Sequence, residues 1–228
     1  MFVLLSFKFT ARMPVPGSRQ AISIRVDESL AHGDLGNTFY YTSWNHAGTH
    51  VDAPGHMLQG REGINDLEMN QLVFDHPKVV DVPKKDNQLI EPDDLRPYEN
   101  AVSNCDLLLL RTGFTHHRES EPLRYQERNP GLSTKVARYL SDQRFHRLRA
   151  VGIDCISMAA TAHLQEGVEA HKVLFNKSSP QPVLLIEDLD LSGDLTHLKR
   201  VIVAPLFIEG LDSGPCTVIA ELDSDLSG

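Results

Sequence analysis

Five short apolar runs stand out along this 228-residue chain, at 78–82, 106–111, 150–154, 183–187 and 199–204. Each is only a few residues long and bounded by polar or turn-forming positions, and all but the leucine run at 106–111 are partly β-branched, so each predicts a buried strand. The opening residues 1–7 are apolar too. Lys8 interrupts them, and neither a leading basic region nor a cleavage site is evident, so they predict a strand better than a signal peptide. A different period follows Ser133, where Val136, Leu140 and Phe145 fall at helical spacing. With Ser133 or Thr134 as the capping residue, this predicts a helix reaching to about residue 145. Pro92-Asp93-Asp94 predicts a short helix or turn with acidic residues in its first turn, and residues 176–182, rich in Ser and Pro, predict a loop. Strand and helix patterns alternate without a repeat, a low-complexity tract or a linker. The pattern alone implies a mixed α/β class, and a single domain over 1–228.

Composition narrows the function classes. The net charge is -9 and no basic run is present, which argues against a nucleic-acid binder or an anionic-membrane binder. No stretch approaches the ~18 apolar residues of a membrane span. Cys105, Cys155 and Cys216 form neither a paired framework nor a Cys-x-x-Cys site, so a reducing, cytoplasmic setting is expected. Cys155 lies within an apolar run and predicts a buried, inert thiol. Nucleophile-elbow, dinucleotide-binding and Walker-type motifs are absent, so no nucleotide cofactor is expected.

The chemistry concentrates in residues 46–56, His46-Ala-Gly48-Thr49-His50-Val-Asp52-Ala-Pro54-Gly-His56. Three histidines and one aspartate in so short a stretch are a donor set for divalent zinc, manganese or iron. On a helix Asp52 would leave the face shared by His46 and His50, whereas on a strand the even-numbered positions share one side. The segment is therefore expected to be a short strand or extended loop carrying His46, His50 and Asp52, with Pro54 interrupting pairing and His56 just past a bend.

This motif, His-x-Gly-Thr-His-x-Asp-x-Pro-x-His, resembles the signature of the cyclase-like metal-dependent hydrolases, the family that includes bacterial kynurenine formamidase and isatin hydrolase. Leu109-Leu110-Arg111-Thr112-Gly113-Phe114 is similar to the family's Thr-Gly strand end. Val151-Gly152-Ile153-Asp154 with Ser157, and Ala204-Pro205-Leu206 with Gly210, extend the resemblance over most of residues 40–222. It implies a swivelling β/β/α fold, a homodimer or homotetramer, and a small-molecule substrate. It also implies that His46, His50 and Asp52 hold one divalent metal, with Asp52 bridging to a second held by His171 and Glu187 if two ions bind. His56 would then transfer protons, a fourth-ligand role being the alternative, and Thr49 would orient a ligand through its hydroxyl. His163 and Glu166 compete with His171 and Glu187 for the downstream positions.

The expected activity is hydrolysis of an amide C–N bond in a formamide or cyclic amide by metal-activated water. Zinc is the first expectation for the metal, with manganese or iron as alternatives and one or two ions per chain. Narrower and broader alternatives are an arylformamidase acting on N-formylkynurenine, a non-catalytic metal- or ligand-binding module, and a lyase using the same centre. Phe2, Phe7, Phe9, Phe39, Tyr40 and Tyr41 could line an aromatic pocket near the sole tryptophan, Trp44, although core packing or a strand edge is the simpler expectation for most of them.

Overall fold

The computed structural model describes residues 1–177 and 182–223. The expected loop at 176–182 lies largely outside them. Thirteen strands are present among the described residues: β1 Phe2–Leu4, β2 Ile22–Glu28, β3 Thr38–Ser43, β4 His50–Asp52, β5 Val73–Phe74, β6 Pro77–Asp81, β7 Leu89–Ile90, β8 Leu107–Arg111, β9 Gly131–Leu132, β10 Ala150–Ile153, β11 Leu184–Glu187, β12 Leu198–Pro205 and β13 Ser213–Leu222. Helices are α1 Pro92–Leu95, α2 Glu99–Ser103, α3 His117–Ser120, α4 Pro122–Glu127, α5 Thr134–Leu140 and α6 Leu164–Phe175. All five apolar runs of the sequence are strands of one sheet, ordered β5-β12-β13-β4-β11-β10-β8-β6, with β1 added at β13.

The sheet is a mixed one, and alternation explains its layers. β6, β8, β10 and β11 run parallel, while β4 joins β11 and β13 antiparallel. Leu108 and Leu110 of β8 and Val151 and Ile153 of β10 face a core shared with α5 and α6, through Val136, Leu140, Ala170 and Leu174. The intervening Leu107, Leu109 and Ala150 face a second core with Val201, Val203, Val218 and Ala220 of β12 and β13. Parallel strands covered on both faces read as continuous apolar runs, which is why they were visible in the sequence. The result is an α/β architecture with helices on one side of the parallel strands and antiparallel strands on the other.

One expectation is corrected, one helix goes unpredicted, and the aromatic residues of β3 take the strand-edge role and not the core-packing one. The helix starting at Thr134, capped by Ser133 Oγ accepting from Val136 N at 3.1 Å, stops at Leu140 and not near 145. Asp142 turns extended and caps a separate single turn at Gln143–Phe145, accepting from Arg144 N, because its short side chain competes for backbone donors. α6, the longest helix, was not foreseen: its buried face is made of Gly167, Ala170, His171, Leu174 and Phe175, so its apolar signal is diluted. The aromatic residues near the N-terminus do not fill the core either. Phe2, Phe9, Phe39, Tyr40 and Tyr41 are all exposed, the last three on β3 of the two-stranded β2–β3 hairpin.

Candidate metal centre

Residues 46–56 reach the centre by a turn as well as by a pleat. Only His50 to Asp52 are strand, and they lie between β11 and β13, with His50 opposite Glu187 and Asp52 opposite Ser213. His46 precedes them in a turn that passes through Gly48 at φ +63°, where an added Cβ would meet Phe9 and Met13 at 3.1 and 3.2 Å. Glycine is required there for both conformation and space. Pro54 then opens a single helical turn that ends on His56.

Local bonds orient each ring. His50 Nδ1 lies 2.8 Å from Gly48 O and His171 Nδ1 lies 2.7 Å from Gly167 O, so each ring donates through Nδ1 and turns Nε2 toward the centre. Both Nε2 atoms face Glu187, at 3.3 Å from Oε2 for His50 and 3.4 Å from Oε1 for His171. Glu187 Oε1 accepts from Met158 N at 2.7 Å and from Ser157 Oγ at 3.1 Å, which fixes the carboxylate. His46 Nδ1 lies 3.2 Å from Asp52 Oδ1, with Ser213 Oγ at its other nitrogen. His56 Nδ1 donates to Asp212 Oδ2 at 2.7 Å, and Asp212 Oδ1 accepts from Asn45 Nδ2 at 3.1 Å.

The structure thus brings together His46, His50, Asp52, His56, His171 and Glu187. Two ligand groups close to within 4.8 Å, His46–Asp52–His56 and His50–Asp52–Glu187, with Asp52 common to both. His171 joins through Glu187. The first group includes His56, so the geometry allows either of the two roles expected for that ring. The competing pair is not brought in: His163 and Glu166 are exposed, and Glu166 Oε2 accepts from Thr134 N on the helix side. Thr49 does not touch a ligand side chain, contrary to expectation. Its hydroxyl donates to Asp188 O at 2.6 Å and accepts from Phe7 N at 3.0 Å, pinning backbone.

Asp212, Asn45 and Ser213 are the site residues that sequence reasoning missed. Asp212 sits in Gly210-Leu-Asp-Ser-Gly214, which reads as an ordinary turn. Only the pairing of β13 with β4 places it beside His56.

The charges test whether a metal fits. Asp52 is 1% exposed, and both of its oxygens, like His50 Nε2, are buried without a hydrogen-bond partner. Such groups are costly unless something else satisfies them, and imidazole with carboxylate is a donor set that a divalent cation accepts. Burial pulls the His50 pKa down, but the Asp52 and Glu187 carboxylates outweigh it and raise the value to about 9. Burial would also raise Glu187, yet the His171 and His50 imidazoles hold it well below the usual carboxylate range. These directions belong to the metal-free protein, where protons stand in for the cation.

A pH dependence follows. Because the folded pKa of His50 is raised, its stabilising contribution is complete below pH 6.5 and is lost as pH rises through about 9. The same proton must leave before Nε2 can ligate. At a fixed, buffered free-metal concentration, the rise in Tm caused by metal is expected to grow from pH 6.5 to 9. Thermal melts in chelator and in metal buffer measure it, and a gap that is flat or shrinking over that window would count against ligation by His50.

Other expectations concern the surroundings. Cys155 is fully buried, and burial pushes its thiol well above the ordinary value, as expected for an inert residue. Asp154 pins strand ends together: its carboxylate accepts from Thr112 N at 2.8 Å, Thr112 Oγ1 at 2.6 Å and Gly113 N at 2.9 Å. Burial nevertheless raises its pKa, against those bonds. Among the described residues no helix is long and apolar enough to cross a membrane.

Fold and donor set together define the class. Residues 3–160 match the family model "Cyclase: Putative cyclase", and the chain belongs to that family. Among relatives, Cyclase-like protein 1 of Oryza sativa subsp. japonica is 28% identical over 228 residues, covering 94% of this chain and 76% of that protein. Kynurenine formamidase of Bacillus anthracis is 25% identical over 174 residues, covering 76% and 75% respectively. A solved structure described as a predicted metal-dependent hydrolase, from Bacillus stearothermophilus, superposes with a TM-score of 0.74 at 25% identity, covering 96% of this chain and 97% of its own. Isatin hydrolase A from Labrenzia aggregata shares the fold, with a TM-score of 0.79 at 20% identity and coverage of 98% and 94%.

Proposed function

We propose that the chain is a metal-dependent hydrolase that opens an amide C–N bond in a small molecule, a formamide or a cyclic amide. The observation that carries this reading is Asp52, a buried carboxylate with two unpartnered oxygens on which His46, His50, His56 and Glu187 converge. Family membership and the names of the formamidase and hydrolase relatives support it. The family resemblance assigns His46, His50 and Asp52 to one ion and Asp52, His171 and Glu187 to a second if two bind, whereas the donor atoms group as His46–Asp52–His56 and His50–Asp52–Glu187, with His171 against Glu187. Zinc suits this nitrogen and carboxylate set best, with manganese or iron as alternatives. A divalent cation held there supplies Lewis acidity, polarising a carbonyl and making water a nucleophile near neutral pH.

The remaining work belongs to the chain's own residues. His56 is half-buried at the edge of the cluster, and its bond to Asp212 fixes the ring and leaves Nε2 to take up a proton. An imidazole so held can collect the proton of the attacking water and return it to the departing nitrogen, which otherwise leaves as an unstable anion. Burial would raise the Asp212 carboxyl, but the bond with His56 keeps it below the usual range, so it stays an anion and an acceptor.

The narrower reading, an aryl substrate, draws on a cleft of about 1000 Å³ that reaches Trp44 and Asn45 beside the centre but is lined by none of the six candidate ligands. The cleft runs between the β2–β3 hairpin and the outer face of β12 and β13. Phe7, Phe9, Phe39, Tyr41 and Trp44 line it, and Trp44 packs 5.2 Å from the His46 ring. An arylformamidase fits this lining, since flat aromatic walls hold a ring through stacking. The hairpin itself leaves Ile24, Val26, Phe39, Tyr40 and Tyr41 more than half exposed, and an isolated two-stranded ribbon is marginal in water. A homodimer or homotetramer covering it is therefore part of the proposal, and a monomer by sedimentation at micromolar concentration would remove that part. The buried, unpaired cysteines suit a cytoplasmic setting.

The test is elemental analysis of protein never exposed to chelator, followed by turnover assays on N-formylkynurenine, isatin and simple cyclic imides. Stoichiometric transition metal and one hydrolysed substrate are expected. Protein lacking metal would overturn the site, and a product without oxygen from labelled water would indicate a lyase.

A further inference from the structure

The residue after Glu187 is unusual in three respects. Asp188 has a left-handed backbone, φ +54°, which few residues other than glycine adopt. Its side chain is 1% exposed and fully engaged: Arg118 donates from Nε and Nη2 at 2.8 and 2.7 Å, and Tyr125 OH donates at 2.7 Å. Its backbone is engaged as well, with N donating to Cys155 O at 2.7 Å and O accepting from Thr49 Oγ1 at 2.6 Å. Arg118 is itself 5% exposed and lies 3.8 Å over the Phe7 ring.

These bonds meet at the ends of the two ligand strands. Thr49 immediately precedes His50, Asp188 immediately follows Glu187, and His50 and Glu187 face each other across the β4–β11 ladder. A buried ion pair adds little net stability compared with apolar side chains of similar volume. Its value here is therefore better sought in what it aligns. We propose that Asp188, clamped by Arg118 and Tyr125, is a positioning residue that sets the spacing between Glu187 and His50 and so tunes metal affinity. This inference rests on the metal-centre reading above.

The clamp works through backbone. Arg118 and Tyr125 come from α3 and α4, neither of which carries a candidate ligand. They hold its left-handed turn in place, the turn holds Thr49 through the carbonyl, and Thr49 holds the start of β4. Loosening the clamp lets Glu187 and His50 drift apart by fractions of an ångström, which a coordinating ion registers and a packed core tolerates.

The experiment uses the full chain with cobalt(II) as the probe, read by its visible spectrum and by competition with a chelator. Tyr125→Phe removes one hydroxyl and keeps the ring, and Asp188→Asn keeps a side chain that accepts positive φ. Both are expected to bind cobalt about ten- to a hundredfold more weakly than wild type, with an altered spectrum. Val102→Ala, a cavity in the helix-side core on α2, is expected to lower Tm while leaving affinity and spectrum unchanged. Should Asp188→Asn fail to fold, Tyr125→Phe decides the matter. Wild-type affinity and spectrum in the foldable clamp variants, or an equal loss in Val102→Ala, would overturn the proposal while leaving the metal centre standing. Wild-type protein that takes up no cobalt would overturn the metal centre itself.

Discussion

Asp52→Asn is expected to abolish metal-dependent behaviour while leaving the metal-free fold nearly intact. Asp52 is the one carboxylate common to both ligand groups, so its loss reduces each of them at once. The substitution keeps the shape and replaces an anion whose oxygens have no hydrogen-bond partner. An amide there still costs desolvation, about 1–3 kcal/mol, but it no longer buries a charge. Two opposing changes therefore act on the metal-free protein: relief of the unpartnered carboxylate, and loss of its attraction for protonated His50. Because they oppose each other, the Tm in chelator is expected to move by only a few degrees. Metal affinity should fall at least about a hundredfold, more than substitutions beyond the ligands usually cause. Turnover should drop by three decades or more, roughly 4 kcal/mol of transition-state stabilisation. Calorimetric titration and melts with and without metal are the measurements. Metal binding that survived at wild-type strength would remove Asp52 from the centre.

The second large effect concerns His56. His56→Ala is expected to retain metal and to lower kcat by about 10²–10⁴-fold, the usual worth of a positioned acid–base group. Asp212→Asn should do part of this, since the amide can still hold the ring but can present its NH₂ to Nδ1 and favour the wrong tautomer. Its signature is a lowered kcat with an altered pH profile and little change in KM. If His56→Ala instead loses metal, His56 is the ligand that the His46–Asp52–His56 grouping permits. If turnover is unchanged, His56 has no proton-transfer role, and if wild type and variant alike turn over none of the amides tested, the hydrolase reading gives way to a binding module. The two variants together separate a proton-transfer role from a ligand role, because among the described residues Asp212 hydrogen-bonds the His56 ring and none of the other candidate ligands.

How much of this was legible in advance depends on how local the determinants are. Strands β8, β10 and β11 were visible because burial on both faces leaves uninterrupted apolar residues, and β6 and β12, which keep exposed or half-exposed positions, through their β-branched residues. The β2–β3 hairpin carries a different signal, Ile22, Ile24 and Val26 alternating with Ser23, Arg25 and Asp27, and without a continuous apolar run it does not stand out as the buried strands do. α6 was obscured by glycine, alanine and histidine on its inner face, residues chosen by close approach to Ala159 and by the centre, not by hydrophobicity. The helix beyond Leu140 was overestimated because a spacing of apolar residues does not register that Asp142 prefers to cap.

By itself, then, the sequence determined the donor set in residues 46–56 and the glycine and proline that shape it, since short-range spacing and backbone restrictions act within one strand and two turns. Tertiary structure decided the rest of the centre. Glu187 meets His50 only because β11 pairs with β4, Asp212 reaches His56 only because β13 pairs with β4 on its other edge, and His171 arrives on a helix packed over the parallel strands. Choices between His171 and His163, or between Glu187 and Glu166, turn on long-range register, where each candidate has similar local chemistry. What separates them is burial against the sheet, a property of the assembled chain that no window of sequence carries.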